Sequence, residues 1–213
     1  FPLDAIRVFQ SRSSSGVRGI KLENGNEVVS LSILKNSKIE NIEKKDAYLK
    51  IPSSQRLKIK DDVIANPAII DDDSILPVKS VSVDLLDTLK PREIKQLAFD
   101  EEFLLTITEN GYGKCTSTYE YRVTNRGGIG ITNIITSKRN GSVINSQPVN
   151  GNQDVIMMTD KGTVIRTRAK DIRISGRNTQ GVTLMKSEDK IVSVAIAQSE
   201  EESNEEVIET END

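Results

Sequence analysis

Three arginines share one local pattern. Arg12, Arg126 and Arg177 each stand four residues before a glycine that is followed by Val or Ile: Arg12-Ser13-Ser14-Ser15-Gly16-Val17, Arg126-Gly127-Gly128-Ile129-Gly130-Ile131 and Arg177-Asn178-Thr179-Gln180-Gly181-Val182. A guanidinium presents five donors in a planar fork, which fits a phosphate or a set of backbone carbonyls. The adjacent glycine points to a tight turn, so the two roles weigh about equally for these three residues. The chemistry on offer is binding, not turnover. The 213 residues contain no His, which excludes imidazole base catalysis and His-ligated metal, and no nucleophile, base and metal constellation can be assembled. The single Cys115 cannot form an internal disulfide and suits a reducing cytoplasm.

The pattern sits inside a longer repeat. Residues 105–111 (Leu-Thr-Ile-Thr-Glu-Asn-Gly) align with 156–162 (Ile-Met-Met-Thr-Asp-Lys-Gly), and the register of 51 holds without a gap from there through the arginine turn. Periods of roughly 40 to 50 residues are those of propeller-type blades. Both copies read as strands. Val155–Thr159, a turn at Asp160-Lys161-Gly162, and Thr163–Arg168 form a hairpin. Period-2 alternation puts Ile165 and Thr167 on one face of the returning strand and Val164, Arg166 and Arg168 on the other. A following strand at 171–174 adds Arg173. These three arginines on the non-core face are the stronger phosphate candidates, against a role as charged guards of a strand edge.

Five regions follow. Residues 1–34 read as the end of one blade, closing on the apolar strand Val28–Leu34, residues 101–151 and 152–198 are two blades, and 199–213 is an acidic tail read as a disordered solubilising extension. Residues 35–100 lack both the turn and the arginine ending, so an insertion is favoured over a degenerate blade. It reads as mixed, with short strands at Val63–Ala65 and Ile75–Val78 and a helix from Pro91 to Phe99 with proline in its first turn. Its role is open. Charge divides by region too. The net of −3 hides eight acids and no base in the tail, which leaves 29 bases against 24 acids elsewhere. The insertion is balanced, so the surplus lies on the repeats. No stretch resembles a signal peptide or an 18-residue apolar span, so no membrane partner is expected, and the start at Phe1 rather than Met leads to the expectation of a piece of a longer protein.

On these residues the chain resembles the C-terminal domain of DNA gyrase A and its relative in topoisomerase IV. The segments that carry the likeness are Arg12–Leu22, Thr108–Lys114 and Ile172–Val182; the match covers 1–34 and 101–198 and leaves out 35–100. It implies an all-β fold, a β-pinwheel of four-stranded blades of about 51 residues with a mixed inserted segment, and duplex DNA wrapped on a basic rim so that the parent enzyme introduces negative supercoils. It implies partners, double-stranded DNA and the rest of gyrase A together with gyrase B in an A2B2 assembly, in the bacterial cytoplasm on the chromosome. ATP and Mg2+ belong to that parent complex, an ATP-dependent type IIA topoisomerase; this chain holds no cofactor and is no enzyme alone.

The DNA-binding candidates are Arg12, Arg18, Lys21, Lys114, Arg122, Arg126, Arg166, Arg168, Arg173 and Arg177; of these Lys114 and Arg122 rank lower, with Lys138, Arg139 and Lys170, because bases in loops are common. Tyr112, Tyr119 and Tyr121 read as packing residues, and no tyrosine has a catalytic context. The family's box, Gln-(Arg/Lys)-Arg-Gly-Gly-x-Gly, has its nearest match at 124–130, with the glycine half present and the Gln-Arg opening replaced; either the box has decayed or the chain starts after the blade that bears it, the reading that the half-blade at the start and the acidic tail favour. Weak, salt-sensitive binding is therefore expected here, and full wrapping only with further blades. The readings kept beside this one are a topoisomerase IV-type domain and a propeller-like scaffold for protein partners.

Overall fold

A computed structural model describes residues 1–35, 39, 41–73 and 87–199. Two compact units result: residues 1–33, 103–116 and the chain from 121 onward form a β unit, and 34–102 with 117–120 form a helical one.

In the β unit, β1 (Phe103–Thr108) and β2 (Tyr112–Ser117) make a hairpin whose turn needs Gly111 at φ 78°, and β3 (Val143–Val149) pairs antiparallel with β1. The next repeat builds β4 (Gln153–Thr159), β5 (Val164–Arg168) and β7 (Ile191–Gln198), with Gly162 at φ 85° in the β4–β5 turn. The hairpin and its alternation agree with the sequence reading. Ile165 and Thr167 are half-buried while Val164, Arg166 and Arg168 are exposed. Correspondence extends to irregularities: the β1–β3 register slips between Ile107 and Thr108, and the β4–β7 register slips at their partners 51 residues on, Met158 and Thr159.

The two sheets differ at one edge. The first is four-stranded in the order β3-β1-β2-β6, and its fourth strand β6 (Val182–Thr183) comes from the arginine turn of the next repeat, pairing Tyr112 with Thr183 and Gly113 with Val182. The second has the order β5-β4-β7. Leu105, Ile107, Val155 and Met157 supply the buried apolar core of the sheets, and the buried hydroxyl of Thr106 is satisfied by Ser146 Oγ at 3.0 Å and Asn133 Nδ2 at 2.8 Å.

Two strands expected in the β unit are corrected. The strand expected at 28–34 is not formed; residues 28–33 are mostly exposed, with the Ser32 hydroxyl donating to the Ser146 carbonyl at 3.4 Å. Residues 171–174 are not a strand either: Ala169–Asp171 is a 3-10 turn, and Ile174 makes an isolated parallel bridge to Cys115. Ala169 is buried in that turn, which follows directly on the end of β5 at Arg168.

The insertion is helical where it is described. α1 (Ile42–Lys50) starts at Asn41, whose side chain accepts from the Lys44 N–H at 3.0 Å. α2 (Ser53–Ala65) follows Pro52, and α3 (Pro91–Asp100) begins on Pro91 as expected. Val63–Ala65, expected as a strand, is the last turn of α2, because Arg56, Ile59 and Val63 fall on one buried helical face. Ile75–Val78 lies outside the described residues. The unit closes around Tyr48, Ile51, Ile59, Leu89, Ile94 and Tyr119, with the two tyrosine rings edge-to-face at 5.8 Å. Glu101 is buried beside them, accepting from the Tyr48 hydroxyl at 2.9 Å and paired with Arg56. Burial pushes its carboxyl up, and the Arg56 charge opposes that.

Candidate nucleic-acid interface

The pattern arginines are spent on backbone. Arg126 Nε donates to the Ala5 carbonyl at 3.2 Å and its Nη1 to the Arg18 carbonyl at 2.5 Å. Arg177 Nη1 donates to the Thr132 carbonyl at 2.7 Å, and its guanidinium lies 5.8 Å from the Tyr121 ring centre. Of the two roles held open by the sequence, the structure shows these two as braces between repeats. Arg12 is exposed and engages no such carbonyl among the described residues.

Lys114 requires a correction. Its side chain is wholly buried, and Nζ donates to the carbonyls of Gly176 at 2.6 Å and Arg177 at 2.8 Å and to Thr179 Oγ1 at 3.1 Å. A buried ammonium holding three acceptors of this half-buried turn cannot also meet a phosphate. It pins the arginine turn of the following repeat to β2, together with the Cys115 N–H to Arg173 carbonyl bond at 3.1 Å and the Ser175 N–H to Cys115 carbonyl bond at 2.9 Å. The Cys115 thiol inside this junction is pushed up to about 12 by burial, which removes thiolate chemistry at neutral pH.

On β5 the non-core face is as expected, but its charges have partners. Arg166 meets Asp154 at 2.6 Å, and Arg168 meets Asp171 at 3.0 Å. That offsets their attraction for phosphate without hiding them. Arg18, Lys21, Arg122 and Arg173 are exposed, and among the described residues no ion pair engages their side chains. Arg122 and Arg173 are 51 residues apart and four residues before Arg126 and Arg177. They are therefore one position of the repeat, presented twice.

Sequence reasoning missed this pairing, although the period alone would have found it. It also missed Asn140, fully buried, whose Nδ2 donates to the carbonyls of Ile135 at 2.9 Å and Gln180 at 3.1 Å and so ties a second loop to the following turn; no local pattern announces it. At the hairpin tip Arg139 Nε donates to the Tyr112 phenol at 3.1 Å and stacks over its ring at 5.0 Å, which holds that phenol's pKa below its ordinary value. Tyr121 packs under Arg177 and Tyr119 sits in the helical core, so neither is a free stacking platform. Among the described residues no group of three or more His, Cys, Asp or Glu is placed to hold a metal, and no helix is long and apolar enough to cross a membrane.

Repeated antiparallel blades, each joined to the next through a glycine turn and a bracing arginine, define a propeller-type repeat domain. The chain belongs to the DNA gyrase C-terminal domain, beta-propeller family, whose model matches residues 1–35, 102–150 and 153–198. It is 40% identical over 209 residues to the DNA gyrase A protein of Rickettsia conorii, covering 95% of this chain and 21% of that protein. The DNA gyrase A protein of Granulibacter bethesdensis is 44% identical over 194 residues, covering 89% of this chain and 20% of that protein. Spans of this size take in most of the helical insertion, which the family model omits. A solved DNA gyrase A C-terminal domain superimposes with a TM-score of 0.43 at 26% identity, over 46% of this chain and 34% of that one. The chain spans about a fifth of the length of the curated relatives it matches.

Proposed function

We propose that this chain binds duplex DNA and guides it along successive blades, so that a type IIA topoisomerase containing it, with the ATPase protein in an A2B2 assembly, introduces negative supercoils. The supporting observation is the pair Arg122 and Arg173: the same repeat position, exposed in both copies, while the neighbouring pattern arginines are occupied by carbonyls. Arg18 and Lys21 add exposed charge on the first segment. Contacts of this kind read phosphate and not sequence. ATP, Mg2+ and the strand-cleaving tyrosine lie elsewhere in that assembly, which works on the chromosome in the bacterial cytoplasm; this chain supplies binding alone.

The test is a gel-shift of the chain on duplex DNA across a salt series. Phosphate contact makes log K fall linearly with log salt, with a slope of about −0.9 for each phosphate neutralised. Replacing Arg122 and Arg173 together by Ala should weaken binding and flatten that slope by about 2 units. An affinity indifferent to salt would overturn the proposal and leave a protein-binding scaffold.

A further inference from the structure

The brace between repeats is one unit used twice. Arg126 reaches the carbonyl of Arg18, the sixth residue after Arg12, and Arg177 reaches the carbonyl of Thr132, the sixth residue after Arg126. The backbone repeats the relation. Lys21, nine residues after Arg12, donates to the Gly128 carbonyl at 2.8 Å, and Ile135, nine residues after Arg126, donates to the Thr179 carbonyl at 3.0 Å. In both, the acceptor lies two residues past the next arginine. At the second link the turn also presses on the preceding sheet, where a Cβ added to Gly181 would lie 2.7 Å from the Gly113 carbonyl oxygen.

We propose that Arg126 and Arg177 are positioning residues that set the angle between successive blades and thereby the curvature of the bound DNA, while Arg122 and Arg173 hold the phosphates. This rests on the DNA reading above. Each phosphate-holding arginine stands four residues before a brace, so the direction in which DNA leaves one contact for the next follows the orientation that the brace imposes. The load on that orientation is real, since bending a stiff duplex over two or three helical turns costs deformation free energy. A bound duplex stores that energy as torque on the junction. A guanidinium resists it from two directions: Arg126 holds two carbonyls from different nitrogens, and Arg177 holds one while stacked on Tyr121. A glutamine at either position keeps polarity but cannot reach both supports.

The experiment compares the chain with its Arg126→Gln/Arg177→Gln and Arg122→Ala/Arg173→Ala variants. End-to-end fluorescence transfer is measured on a duplex of roughly 30 base pairs, and affinity on one of roughly a single helical turn, about 10 base pairs. The glutamine variant is expected to lose energy transfer on the long duplex, keep its affinity and salt slope on the short one, and melt in one cooperative transition. The alanine variant is expected to lose affinity on both. Unchanged bending in the folded glutamine variant would overturn the inference, as would a loss of short-duplex affinity equal to that of the alanine variant. An inter-blade distance measured without DNA separates this inference from the DNA reading. With spin labels on Cys replacing the exposed Lys138 and Thr163, in a Cys115→Ser background, the glutamine variant should give a broader distribution, and an identical one would also overturn the inference.

Discussion

β2 and β5 occupy the same place in the repeat and live in different surroundings. β2 is buried along all but its first residue, whereas β5 alternates between exposed and half-buried. Lys114 on β2 is sealed under the next arginine turn, while its counterpart on β5, Ile165, is half-buried. The difference is not in the strands. β2 has a successor that supplies β6 and the turn carrying Arg177, and β5 has no such strand among the described residues. A repeat therefore fixes the path of the chain, and the neighbour decides how much of it is core.

The largest effect should come from removing what the neighbour needs. Lys114→Met leaves the Gly176 and Arg177 carbonyls without their charged donor and is expected to cost about 3 kcal/mol. Ile165→Ala at the matching position is expected to cost about 1 kcal/mol. Urea unfolding of the two variants checks this, and equal costs would break the comparison. The glycines give a second, smaller contrast. Gly162→Ala meets open space and carries only the strain of a positive φ, about 1 kcal/mol. Gly181→Ala adds a clash with the Gly113 backbone and is expected to cost about 2 kcal/mol or more in the same assay.

The smallest effect concerns pH at the hairpin tip. Glu109 has its carboxyl held below the ordinary range, first by the Ser142 N–H at 3.0 Å and then by Lys190. A depressed folded-state pKa means the stabilisation is present above the unfolded value and fades as pH falls through the folded one. Thermal midpoints measured from about pH 5 down to about pH 3 should therefore fall, and Glu109→Gln should flatten part of that decline. An unaltered acid limb would remove Glu109 from the account.

Much of the β unit was legible because it is written twice. Hairpin turns at Gly111 and Gly162, the alternation on β5 and the arginine turn all follow from a period of 51 and from glycine where φ is positive. Lys114 was not legible as a core residue. It lies in a strand like any exposed lysine, and the acceptors that bury it are more than sixty residues further on. The arginines of the pattern posed the same difficulty, since guanidinium suits carbonyl and phosphate alike. In the insertion, the two β-branched residues Val63 and Ile64 outweighed the helical spacing of Arg56, Ile59 and Val63, and a tertiary face overrode local propensity.

Because Val182 and Thr183 pair with β2, about seventy residues earlier, and complete its sheet, the blades are interlocked and not merely stacked. A fold wired in this way resists piecemeal loss. Fraying of the later module strips a strand from the earlier one, so the pair should melt together, in the manner of nearest-neighbour-coupled arrays. Such an array can grow or shrink only by whole periods, whereas a helical insert can enter the sequence before β1 without cutting a single ladder.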